Sequence, residues 1–114
     1  MKQTLIWQVD KDIEKIKNFR NKMNTKENEV LDILQEECAE VIQAVSKIRR
    51  FGADNVKPGK PKTNRDHLEE ELGDMLAMID IMLEINLVDI DKLEVAKKAK
   101  IVKLKQWSNI YVPI

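Results

Sequence analysis

A single cysteine, Cys38, leaves this chain unable to close an internal disulfide or to build a metal centre from several thiolates. With no histidine near it in sequence, Cys38 reads as a small, inert apolar helix residue rather than a nucleophile. The lone histidine, His67, disfavours zinc and other nitrogen-rich metal sites. Three glycines, three prolines and 4% aromatics leave little of the turn and strand chemistry that a sheet protein uses. No apolar run approaches the ~20 residues that span a bilayer, and Met1 to Asp10 lacks the basic start and apolar stretch of a secretory signal. The expected location is therefore cytoplasmic, with no membrane partner. Net charge is missing too: Lys plus Arg and Asp plus Glu number 20 each, so no overall field draws the chain to nucleic acid.

What is present is 43% hydrophobic and 35% charged residues in 114, the balance of an all-α protein with one core, read as a single domain over 1–114. Apolar residues recur at helical spacing over Ile6 to Met23, Lys26 to Arg50, Arg65 to Asn86 and Ile90 to Asn109, which predicts a four-helix bundle. Asn24 or Thr25 can start the second helix with Glu27, Thr63 or Asn64 the third with Asp66, and Asp89 or Asp91 the fourth. Between the second and third helices runs "GADNVKPGKPKTN", Gly52 to Asn64, made basic by Lys57, Lys60 and Lys62. Thirteen residues is long for a connection within a bundle, and reads either as a solvated linker or as a flap that meets an anionic ligand.

The second helix carries acids where an apolar face is expected. At about 100° per residue, Val30, Leu34, Val41, Val45 and Ile48 centre its stripe, Glu37 lies on the shoulder, Glu40 one row further round, and Glu36 points outward. On the third helix Leu68, Leu72, Met75, Ile79 and Leu83 lie near the stripe centre, with Glu71 and Asp74 on a flank continued by Met78, Met82 and Ile85. Exposed like charges one turn apart repel weakly, but partly desolvated carboxylates repel strongly. Raised pKa values, lysine partners or a bound divalent cation could each offset that repulsion. Two carboxylates at i,i+3 facing two more at i,i+3 present an oxygen-only cage, which suits magnesium or manganese. A di-iron bundle would need Glu-x-x-His on two helices, and His67 precedes the acids instead of following them.

Lysines complement the acids. Leu93, Leu104 and Trp107 mark an apolar stripe on the fourth helix, and Lys97 and Lys100 fall on it with Lys103 at its shoulder. Lys47 lies on the Glu40 side of the second helix, about 10 Å along its axis. Snorkelling accounts for such lysines in a bundle; beside an acidic cage they also suit a phosphorylated ligand. No Gly-x-x-x-x-Gly-Lys or Gly-x-Gly-x-x-Gly loop is present.

"EECAE" at Glu36 to Glu40 and "ELGD" at Glu71 to Asp74 resemble the EExxE and ExxD signature of the MazG-like all-α nucleoside triphosphate pyrophosphohydrolases, a family that includes dimeric dUTPases and dCTP pyrophosphatases. "EECAEVIQAVSKIRRFG", "NRDHLEEELGDMLAMID" and the terminal "KLKQWSNI" extend the likeness over about Glu29 to Ile110. The thirty residues between Glu40 and Glu71 slightly exceed the family's usual spacing, and the basic loop absorbs the excess. The resemblance implies that Glu37, Glu40, Glu71 and Asp74 ligate magnesium and that Glu36 orients or deprotonates the attacking water. It implies cleavage of a nucleoside triphosphate between its α and β phosphorus atoms, with Lys47, Lys97, Lys100 and Lys103 as candidates for the triphosphate. It also implies homo-oligomers, a dimer or a dimer of dimers. The apolar arc of Met78, Ile81, Met82 and Ile85, wider than one neighbouring helix can cover, fits that expectation. Trp7 and Trp107 suit packing, an interface or stacking on a base. The competing readings are a non-catalytic helical oligomerisation module, or the same chemistry on another phosphorylated metabolite.

Overall fold

The computed structural model describes the backbone of residues 2–20 and 24–113, and the surroundings of side chains 5–15 and 24–113. These residues form four helices: α1 (Lys2–Arg20), α2 (Thr25–Phe51), α3 (Asn64–Glu84) and α4 (Ile90–Trp107). No strand runs among the described residues, and a single antiparallel bridge pairs Val56 with Thr63. The expected end of the first helix at Met23 lies outside the described residues.

Short polar side chains set where the helices begin. Asn24 accepts the Glu27 amide at 2.7 Å to start α2, and Asp89 accepts the Lys92 amide at 3.0 Å to start α4. Thr63 starts α3 in a reciprocal box: its hydroxyl accepts the Asp66 amide, and the Asp66 carboxylate accepts the Thr63 amide, both at 3.0 Å. The α2 end is closed by Gly52 at φ 91, a conformation that a side chain would disfavour. At the end of α3, Asn86 adopts φ 58 while Leu87 donates to the Met82 carbonyl and Asn86 to that of Leu83. This is a Schellman stop in which asparagine takes the place of the usual glycine.

α2 and α3 form an antiparallel pair and make the only extensive helix contact among the described residues. Val30, Met78 and Met82 are buried at one end, surrounded by Leu31, Ile33, Leu34, Ile79, Ile81, Ile85, Leu87 and Val88. Ala44 is fully buried further along α2. The sequence expectation for α3 is corrected here: Met78 and Met82 are core residues of the chain itself, so they are not part of an uncovered apolar arc. Their row, with Glu71 one heptad before Met78, is the one that faces α2. Val30, Glu37 and Ala44 form the matching heptad row on α2, so carboxylates occupy seam positions that otherwise hold core side chains.

The rest of the chain is open. Its radius of gyration is 21.7 Å, against about 13 Å for a compact domain of this length. α4 has no buried residue, and Leu5, Ile6 and Trp7 of α1 together with Val95, Val102 and Trp107 of α4 are all exposed.

Candidate functional site

Midway along the α2–α3 seam, Glu37, Glu71 and Asp74 each present a carboxylate oxygen, all within 4.8 Å of one another. The Glu71 side chain is only 13% exposed, Glu37 is half-buried and Asp74 reaches solvent. The Glu37 carboxyl is held above its ordinary value near 4.5, first by partial desolvation and then by the negative charges of Asp74, Glu71, Glu40 and Glu36. None of these five acids has a lysine or arginine ion pair among the described residues. The nearest base is His67, whose Nδ1 lies 3.8 Å from Glu71 Oε1. Three oxygen donors with uncompensated charge, two of them partly withdrawn from water, suit a hard divalent cation better than a structural role.

The expected ligands are thus brought together in three of four cases. Glu40, one turn beyond Glu37, is exposed and outside the group, though close enough for its charge to act on Glu37. Glu36 is likewise exposed.

Lys47 lines a cavity of about 830 Å³ that lies between the C-terminal turns of α2, the 52–63 loop and the first turn of α3. The α4 lysines lie elsewhere: Lys97, Lys100 and Lys103 are exposed, and Lys97 pairs with Glu94 at 3.2 Å. No extensive contact brings α4 to the α2–α3 pair within one chain, so these three lysines do not converge with the acids.

Sequence reasoning missed three contributors. His67 lines the cavity and reaches to within 3.8 Å of Glu71, and its i,i+4 spacing to Glu71 was the available signal. Phe51 and Asn55 also line the cavity, and only the folding-back of the loop places them there.

The described residues thus give an all-α chain with a carboxylate cluster on a helix seam and a lysine-lined cavity beside it. The family model for the MazG nucleotide pyrophosphohydrolase domain matches residues 25–106, well over half of the chain, and the chain belongs to that family. The match spans α2, the loop, α3 and all but the last residue of α4. Against the curated proteins and the solved structures the chain has no significant match. Among the described residues no helix is long and apolar enough to cross a membrane.

Proposed function

We propose that this protein is a magnesium-dependent pyrophosphohydrolase of nucleoside or deoxynucleoside triphosphates, cleaving between the α and β phosphates to give a monophosphate and pyrophosphate. The observation that carries the reading is the convergence of Glu37, Glu71 and Asp74 without a lysine or arginine partner among the described residues. Magnesium, with manganese as a substitute, would be held by these three residues and Glu40, and would supply charge neutralisation at the phosphate oxygens and a more acidic water.

The chain's own residues supply the remainder. Glu36, exposed one residue before Glu37, orients the attacking water and takes its proton. Water oxygen bonds to the α phosphorus, and the bridging oxygen departs with the β phosphorus as pyrophosphate. Lys47 holds phosphate oxygens from the cavity side. Lys97, Lys100 and Lys103 serve the same end from the α4 of a neighbouring copy in a dimer or dimer of dimers. The assembly reading is supported by the open shape of the single chain and the exposed apolar residues of α1 and α4. Such an enzyme would act on the cytoplasmic nucleotide pool.

The deciding experiment measures pyrophosphate and orthophosphate release from each common NTP and dNTP with magnesium, manganese or EDTA. Metal-dependent pyrophosphate from one or a few of them supports the reading. Orthophosphate alone, or turnover indifferent to EDTA, overturns it.

A further inference from the structure

The 52–63 loop is built as a small hairpin rather than a slack linker. Asn64 N donates to Asn55 O at 3.2 Å, Arg65 N to Ala53 O at 2.8 Å, and Asn64 Nδ2 to Gly52 O at 2.9 Å, so the loop's base is stitched to the start of α3. Arg65 also pairs with Asp54 at 3.3 Å, and the Val56–Thr63 bridge closes the stem. At the tip, "KPGK" makes a β-turn in which Lys60 N donates to Lys57 O at 3.0 Å and Gly59 supplies φ 80 after Pro58. That turn fixes Lys57 and Lys60 at its two ends, on the wall of the cavity that Lys47 lines from α2.

The charges there are unbalanced. Lys62 is neutralised by Glu70, to which it is hydrogen-bonded, but Lys47, Lys57 and Lys60 have no ion-pair partner among the described residues. The first backbone amides of α3 are already spent on Asn55, Ala53 and Thr63, so the cavity's capacity for an anion rests on the lysines. Three exposed lysines without ion-pair partners give the cavity wall a local positive charge that complements a multiply charged anion. A neutral base would leave that charge unmatched. His67 links the cavity to the acids: it lines the cavity, stands one helical turn before Glu71 and brings its Nδ1 to 3.8 Å from the Glu71 carboxylate.

We propose that this cavity receives the β- and γ-phosphates of the substrate, the group that departs as pyrophosphate, between Lys47 and the Lys57–Lys60 turn. This rests on the pyrophosphohydrolase reading. It sets the substrate's direction: the phosphate tail runs toward the loop, and the nucleoside points the other way along the seam.

The test measures calorimetric binding of inorganic pyrophosphate and of a nucleoside monophosphate to the full-length wild type, to Lys57→Ala/Lys60→Ala and to Lys57→Arg/Lys60→Arg, in EDTA and in magnesium. Pyrophosphate affinity is expected to fall at least tenfold in the alanine pair and to recover in the arginine pair, with monophosphate affinity unchanged. Pyrophosphate should also compete with a non-hydrolysable α,β-methylene triphosphate. Unchanged pyrophosphate affinity overturns the proposal, and so does an equal loss for the monophosphate, which would put the nucleoside in the cavity. Simultaneous binding of pyrophosphate and the analogue also overturns it, revealing a separate effector site. Wild-type turnover, assayed alongside, isolates the parent reading: loop-dependent pyrophosphate binding without hydrolysis of any nucleotide would sink the activity and leave an oligophosphate site.

Discussion

Glu37 on α2 and Asp74 on α3 offer carboxylate oxygens within 4.8 Å of each other, across a helix seam whose other positions hold Val30, Ala44 and Met78. The sign of the resulting effect on stability follows from the raised Glu37 pKa. A carboxyl that binds its proton more tightly when folded lowers stability as pH rises from about 4.5 through the raised value, and the loss persists above it. In EDTA at neutral pH, Glu37→Gln is therefore expected to melt at or above the wild-type temperature, because one repelling charge is gone. Magnesium should raise the wild-type melting temperature and leave that of Glu37→Gln nearly unmoved. A variant that melts well below wild type in EDTA would mean that Glu37 is structurally paired and not a ligand.

Asp74 offers the cleaner separation of catalysis from folding, since its side chain reaches solvent. Asp74→Ala is expected to keep wild-type helicity by circular dichroism and to lose at least about 100-fold in kcat/KM, as each ~1.4 kcal/mol of lost transition-state stabilisation is tenfold. Full activity in a folded Asp74→Ala protein would remove Asp74 from the site.

The α3 start provides a pH-dependent check on the loop's anchor. Hydrogen bonds from the Thr63 backbone and side chain hold the Asp66 carboxyl below its ordinary 3.8. A depressed carboxylate pKa stabilises the fold above the unfolded value, and this contribution is lost as pH falls through the folded one. The difference in melting temperature between wild type and Asp66→Asn should thus be present at pH 5 and shrink below pH ~3.8. Thr63→Ala, which deletes the cap hydroxyl, should cost about 1 kcal/mol in urea denaturation.

Much of this architecture was legible because it is local. Asn24, Thr63 and Asp89 announce their helices through side chains that reach three residues ahead, and helical spacing pointed to Glu37, Glu71 and Asp74, though it also counted Glu40, which lies outside the group. The exact face of α3 was not legible. Glu71 occupies a seam position, and a stripe reading that seeks only apolar residues slides away from it toward Leu72 and Ile79, leaving Met78 and Met82 on the flank. Nor could hydropathy reveal the cavity, which depends on Asn55 and Ala53 carbonyls meeting the first amides of α3. "KPGK" did carry a turn signal, and a turn there already implied two lysines held together. The positions of Lys97, Lys100 and Lys103 fall outside any argument from one helix's periodicity, since α4 finds no extensive partner within its own chain.

That last point yields the final expectation. Trp107 is 85% exposed and Trp7 55% exposed in the single chain, on two helices that each display further apolar side chains. If neighbouring copies cover α1 and α4, light scattering should give a mass that is a multiple of 13.3 kDa. Tryptophan emission should be blue-shifted and move to the red on dilution, as both rings return to water. Activity should fall over the same concentration range, and Lys100→Ala should raise KM without altering the assembly. A monomer of undiminished turnover would instead confine the phosphate contacts to Lys47 and the 52–63 loop, and the α4 lysines would then be snorkelling cations whose stems cover apolar surface.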